Sequence, residues 1–322
     1  MNKIAIVNIT SFGREFPEHL EYLRRTFIVD KLMIDDLTNE YDLANQLKGY
    51  KYVILGNHPY FGEIFFANNS DVKLIARHGV GYNNVDIVNA KAHGVTVTHI
   101  NGDVENDAVA EQALALLMAL SKNIIKGNEK VHLNEWNLHR EDLVGIQLFG
   151  KTCGVIGFGS IGKKFGRIMK YGFSNKILVY DPYLKDDAES WYEKCSLTEL
   201  IVNSDYISLH CNLTTETNKI IGKNELEKMK SDCILINSAR GALIDSGELY
   251  KTLKEKRIRA YGADVSEIEP IDKGDSLLLL NNVVLTPHSA IYNKTCMYNM
   301  NQKVMNDIEI FEKGGQPSYI IN

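Results

Sequence analysis

Along most of this chain, short apolar runs alternate with stretches whose apolar residues recur every three or four positions. The first kind reads as buried strand and the second as amphipathic helix. Residues 4–9 predict a strand, and 17–27 a helix with Leu20 and Leu23 on one face. A short helix is expected over 41–47, and strands over 52–55, 73–76 and 95–98. The segment 84–93 reads as a helix stopped by Gly94. Strand and helix in alternation imply a parallel sheet of flavodoxin-like style. A second series of strands is expected over 152–156, 177–180, 206–210, 233–237, 260–265 and 283–286. Helices fall between them, at 226–230 and 246–256 among others. The tail, 294–311, reads as a helix with Met297, Met300, Val304 and Ile308 on one side. Between the two series lies VAEQALALLMAL, too apolar all round for a surface helix and expected to be buried between domains or subunits. The domain boundary is placed near Asn101.

The second series opens on a recognisable device. After the strand at 152–156 come Gly157, Gly159 and Gly162 at G-x-G-x-x-G spacing, then Ile161, Phe165, Ile168 and Met169 at helical spacing. The first glycine permits a tight turn, the second lets backbone approach a pyrophosphate, and the third lets the helix pack on its strand. Ser160 and Ile161 open that helix, whose N-terminus offers free N–H groups and a positive dipole end. Asp181 closes the next strand, placed to accept from ribose hydroxyls. Its charge would repel a 2′-phosphate, and no arginine follows nearby, so the cofactor is expected to be NAD rather than NADP.

Composition narrows the setting. A net charge of −5 argues against a general nucleic-acid-binding surface. The opening MNKIAIVNIT enters a strand directly, without the apolar core of a signal peptide. The apolar helical run at 113–120 is far short of the roughly 20 residues needed to span a bilayer. Cys153, Cys195, Cys211, Cys233 and Cys296 are scattered, without metal-ligand or C-x-x-C spacing, and read as thiols in a reducing compartment. The expectation is a cytoplasmic protein without metal, membrane or nucleic-acid partners.

Ligands of parallel sheets bind at the carboxyl ends of the strands. There the sequence puts Arg240 after CILIN, Asp264 at the end of YGAD, His288 after VVLTP, and Glu269 just beyond Asp264. A guanidinium can clamp a carboxylate bidentately. An imidazole can protonate a carbonyl oxygen as hydride arrives, while a carboxylate holds its tautomer and charge state. This set suits hydride transfer between a nicotinamide and a 2-oxo acid.

Taken as an ordered set, ARHGVGYNNVD, VAEQALALLMAL, GKTCGVIGFGSIG, VYDP, INSARGALID, YGADVSEIEP and VVLTPHSA resemble the D-isomer-specific 2-hydroxyacid dehydrogenases over nearly the full chain. The resemblance implies two Rossmann- or flavodoxin-like α/β domains. The substrate domain would be discontinuous, residues 1–101 plus 290–322, and the NAD-binding domain would span 102–289. It implies that Arg240 binds the substrate carboxylate and keto oxygen, and that His288 is the acid/base with Glu269 as partner. The backbone of Gly79, Val80 and Gly81 would hold the carboxylate, and Asp264 the nicotinamide carboxamide. His210 and Ala239 fall near the cofactor, and His78 where a substrate side group could be read. A homodimer built around the 103–121 region is also implied. Two departures stand out: Asn212 in HCNLT replaces a frequent proline, and Gln112 in VAEQ a frequent histidine. Neither is expected to touch the chemistry. Glu269 argues against a formate dehydrogenase, whose histidine pairs with glutamine. Two rival readings are an NAD(H)-sensing, corepressor-like binding protein and a dehydrogenase of phosphite or of a phosphorylated hydroxy acid.

Overall fold

The computed structural model describes residues 1–185 and 190–322. The chain divides into two compact units, Met1–Glu105 with Tyr292–Asn322, and Asn106–Ile291. Each is built on its own all-parallel sheet.

The first unit holds β1 (Lys3–Val7), β2 (Ile28–Leu32), β3 (Tyr52–Leu55), β4 (Leu74–Arg77) and β5 (Thr96–Thr98). They pair in the order β2-β1-β3-β4-β5. The helices α1 (Pro17–Arg24), α2 (Glu40–Gln46), α3 (Glu63–Asn68) and α4 (Ile87–Ala92) connect them. Four residues each of β1 and β3 and three of β4, Leu74, Ile75 and Ala76, are buried and apolar, so these strands read as continuous apolar runs, β4 ending on the buried Arg77. β2 is different. It lies at the sheet edge with only Val29 buried, and Asp30 and Lys31 interrupt its apolar pattern, so sequence periodicity does not reveal it. α4 starts later than its pattern predicts because Asp86 caps it, its carboxylate accepting from the N–H groups of Val88 and Asn89.

The helix α5 (Gly102–Ser121) carries the chain from one unit to the next, and α6 (Ile124–His132) follows. The second unit then lays down β6 (Thr152–Ile156), α7 (Ser160–Phe173), β7 (Lys176–Tyr180), β8 (Glu193–Lys194), α8 (Leu197–Asn203) and β9 (Tyr206–Leu209). It ends with α9 (Lys223–Lys228), β10 (Ile234–Asn237), α10 (Ser246–Lys254), β11 (Ala260–Ala263) and β12 (Val283–Leu285). The strand order is β12-β11-β10-β9-β6-β7-β8. From β6 the chain winds outward through β7 to β8, then crosses to β9 on the other side. The switch of direction therefore lies between β6 and β9, where a doubly wound sheet opens its ligand crevice. The final helix, α11 (Lys294–Glu312), packs on the first unit through Met300, Val304 and Ile308 among others.

Period-two alternation sorts the second sheet's side chains. Cys153, Val155, Ile234 and Ile236 join one core with Phe165 and Met169 of α7, while Ile156, Leu235 and Leu209 join the other with Leu200, Leu249 and Leu253. α5 belongs to the first of these cores. Ala110, Ala113, Leu116, Leu117 and Leu120 are buried within it, each leucine contributing roughly 2 kcal/mol. Burial inside its own unit accounts for these five positions, while Leu114, Met118 and Ala119 stay half-buried and Ala115 exposed. Among the described residues no single helix is long and apolar enough to cross a membrane.

Candidate active site

The switch point carries the glycine loop. Gly157 adopts φ 84°, the left-handed region, and a Cβ there would sit 2.4 Å from the Cys211 nitrogen on the neighbouring loop after β9. A Cβ on Gly162 would lie 2.1 Å from the Gly157 carbonyl oxygen, so α7 can approach its strand only with glycine there. At Gly159 a Cβ would meet nothing within 4 Å, leaving an open approach to backbone at the start of α7. These are the features a pyrophosphate needs, and the residues present fit a dinucleotide. Asp181 at the end of β7 does more than expected. Its Oδ2 accepts from the Phe158 N–H at 2.8 Å and its Oδ1 from Tyr183 N–H at 2.9 Å, so the carboxylate also braces the glycine loop.

His210 ends beside that loop. Its Nε2 pairs with Ser208 Oγ at 2.9 Å, its ring packs on Phe165, and burial holds it neutral, pushed down to about 3.

Further along the same edge, β10 leads to Ala239 and Arg240. Asn237, fully buried at the strand end, accepts from Ala239 N–H and donates to the Arg240 carbonyl, fixing the turn that presents the guanidinium. Arg240 Nη1 also donates to the Ala239 carbonyl at 2.7 Å. Gly241 follows, where a Cβ would lie 2.1 Å from the Ser266 carbonyl carbon. The Arg240 turn and the loop carrying Glu269 are thus in backbone contact. Asn237 and Gly241 stand inside a quoted motif, yet their roles depend on a tertiary neighbour that sequence spacing does not reveal.

Glu269 Oε2 lies 2.7 Å from His288 Nδ1, and Glu269 Oε1 accepts from the Ser266 N–H at 3.0 Å. Partial burial pushes the Glu269 carboxyl up, but the hydrogen bond and charge of His288, the Ser266 amide and the Arg240 guanidinium outweigh it. The net result is a carboxyl held below its ordinary range. An acceptor on Nδ1 fixes the tautomer with the proton there and directs Nε2 away from Glu269. His288 itself sits at φ 51°, a left-handed conformation uncommon outside glycine.

Asp264, expected at the nicotinamide, is 1% exposed with both oxygens engaged. Oδ1 accepts from the Thr286 hydroxyl and the Ser289 N–H, and Oδ2 from the Ala290 N–H at 2.8 Å. It holds the loop around His288. Gln112, one of the two departures, has a tertiary partner that sequence spacing does not reveal: its Nε2 donates to Thr286 Oγ1 at 2.9 Å, two residues from His288. Asn212 accepts through its carbonyl from Thr217 Oγ1 in the loop after β9.

The remaining candidates lie in the first unit, after β4. The His78 ring is buried, with Nε2 2.8 Å from Asn301 Oδ1 and an edge contact to Phe12, and burial pushes it down to about 4. That environment holds the ring neutral. The adjacent backbone is pinned: Ile100 N–H donates to the Gly79 carbonyl and His99 Nδ1 to the Val80 carbonyl, while the Val80 N–H donates to Glu105 Oε1 at 3.2 Å. Gly81 continues the same loop, half-buried. Among the described residues no group of three or more His, Cys, Asp or Glu is placed to hold a metal.

Residues 114–290 match the family described as D-isomer specific 2-hydroxyacid dehydrogenase, NAD binding domain. The chain belongs to that family. It is 36% identical over 274 residues to a glyoxylate reductase of Korarchaeum cryptofilum, covering 84% of this chain and 82% of the relative. A glyoxylate reductase of Thermococcus litoralis is 39% identical over 262 residues, 79% and 78% of the two chains. The D-lactate dehydrogenase of Escherichia coli superimposes with a TM-score of 0.85 at 30% identity, over 99% of this chain and 100% of that one. The protein is therefore an NAD-dependent oxidoreductase of the D-2-hydroxyacid dehydrogenase type.

Proposed function

We propose that this chain interconverts a small 2-oxo acid and the D-2-hydroxy acid, with Arg240 binding the substrate carboxylate and keto oxygen, and His288 with Glu269 as acid/base. The observation that carries this reading is the 2.7 Å Glu269–His288 couple on the strand-end edge it shares with Arg240 and the glycine loop. The bound nicotinamide supplies or receives the hydride. The Arg240 fork clamps the acid in one orientation. In reduction the His288 imidazolium gives its Nε2 proton to the carbonyl oxygen as that oxygen becomes a hydroxyl, while Glu269 keeps hold of the Nδ1 proton. In oxidation the neutral ring takes the hydroxyl proton back at Nε2, and the same carboxylate stabilises the resulting charge. The backbone of Gly79, Val80 and Gly81 is assigned to the substrate carboxylate. At Val80 a substrate must compete with Glu105 for the same N–H.

Glyoxylate heads the candidate substrates because relatives matching about four-fifths of the chain are glyoxylate reductases. Steady-state reduction of glyoxylate, pyruvate, hydroxypyruvate, phosphohydroxypyruvate and branched 2-oxo acids with NADH tests the reading. Arg240→Lys keeps the charge but loses the planar fork. It should lower kcat/KM roughly a hundredfold, about 2.7 kcal/mol of transition-state binding, with NADH affinity near the parent's. A lysine variant as fast as the parent would remove Arg240 from the clamp.

A further inference from the structure

We propose that Gln112 is a positioning residue for His288, acting through Thr286 and Asp264. The proposal rests on the reading of His288 as the acid/base. His288 occupies a left-handed backbone conformation, and such a residue persists only where its surroundings over-determine it. The Asp264 carboxylate supplies that constraint on both flanks, receiving Thr286 from one side and Ser289 and Ala290 from the other. One carboxylate therefore spans the loop at residues 286, 289 and 290, with His288 between.

The Thr286 hydroxyl has a single proton and is free to rotate unless its lone pairs are claimed. Gln112 Nε2 claims one, donating at 2.9 Å, and of the two acceptors then within reach of the hydroxyl proton, Asp264 Oδ1 is much closer than the Ala263 carbonyl at 3.5 Å. The Thr286 N–H is already committed to the Ala263 carbonyl at 2.9 Å. Gln112 reaches this point from α5, whose Ala113, Leu116 and Leu117 are locked in the core of the same unit. The chain Gln112–Thr286–Asp264 thus ties the loop bearing His288 to a rigid helix, and polarises each bond in one direction. Gln112 touches neither substrate nor cofactor in this account. It fixes the angle at which His288 Nε2 leaves the Glu269 couple, and misplacement of a reacting group by about an ångström is enough to slow chemistry substantially.

The test uses Gln112→Leu, which keeps the bulk and removes the donor, and Gln112→His, whose Nε2–H occupies nearly the same place. With the full-length protein and the best 2-oxo acid of the panel, Gln112→Leu should lower kcat roughly ten- to a hundredfold. KM, NADH affinity by fluorescence titration and the melting temperature should stay close to the parent's. Gln112→His, assayed at pH 8, should restore most of the lost kcat. If Gln112→Leu does not fold, Thr286→Val removes the middle of the chain and should give the same kcat loss, with Thr286→Ser rescuing it. Where both fold, the double variant should be about as slow as the slower single one, because both break one chain. A Gln112→Leu enzyme with parental kcat, or additive losses in the double variant, overturns the proposal. His288→Gln in parallel separates the two levels. If it retains parental activity, the acid/base reading itself falls; if it is inactive while Gln112→Leu is unimpaired, only the positioning role does.

Discussion

A carboxylate beside an imidazole changes what the ring does over a range of pH, and Glu269 is held ionised by His288, Ser266 and Arg240 against the cost of partial burial. Because that carboxyl lies below its ordinary range, it stays charged from above neutrality down through the ordinary carboxylate range, so the acceptor holding the His288 Nδ1 proton is in place throughout, and it is lost only as pH falls below that range. In Glu269→Gln the charge is gone and the amide holds the ring less firmly. Reduction and oxidation should both become roughly a hundredfold slower in kcat/KM. A Glu269→Gln enzyme as fast as the parent in both directions, together with a deuterium isotope effect showing that hydride transfer is observed, would break the couple. At this scale the sequence was most legible in placement, since Arg240, Asp264 and His288 all lie within three residues of the ends of β10, β11 and β12. It was least legible for Asn237 and Gln112, because an amide side chain declares its role only through the partner it meets, and Gln112 meets Thr286 from 174 positions away.

Elements were readable wherever burial is continuous on both faces. β3 and β6 begin and end as their apolar runs do, whereas the edge strand β2 and the two-residue β8 carry too little buried surface to leave a pattern. The short helix α3 escaped for a related reason, since its six residues make less than two turns of period. The β6–α7–β7 unit has the clearest consequence for function. Its aspartate braces the Phe158 and Tyr183 amides, each oxygen retains a lone pair, and we propose that these lone pairs receive the cofactor's ribose hydroxyls. NADH should therefore outperform NADPH by a wide margin in kcat/KM. Asp181→Ala should narrow that gap, and part of the loss with NADH should come from a loosened glycine loop. Equal kcat/KM for the two cofactors in the parent would contradict this assignment.

Two units, each closed around its own parallel sheet, make up the molecule, and α6 adds a stretch that neither core covers. No residue of α6 is buried, and Val131, Leu133, Trp136 and Leu138 in and after it are about half or more exposed. We propose that this exposed apolar stretch meets a second copy of the chain. Sedimentation velocity should give a species of twice 36.4 kDa for the parent and a single chain for Trp136→Glu. A parent that sediments as one chain would contradict the dimer. The two-sheet plan itself was legible because strand and helix periods alternate through both halves, whereas the return of α11 to the first unit came only from the family resemblance, its Met300–Val304–Ile308 stripe showing a buried face but not what buries it. Whether the Arg240–Glu269–His288 edge performs the chemistry assigned to it is tested most directly by product analysis. A turnover of NADH deuterated at both C4 positions with pyruvate, hydroxypyruvate or a branched 2-oxo acid, whichever is fastest, should give the D-2-hydroxy acid with deuterium as the only hydrogen isotope at C2, and His288→Gln should abolish its formation while still binding NADH; glyoxylate is left out because glycolate keeps a protium at C2 and has no D or L form. Protium at C2, an L-configured product, or NADH binding without turnover of any 2-oxo acid would contradict the account.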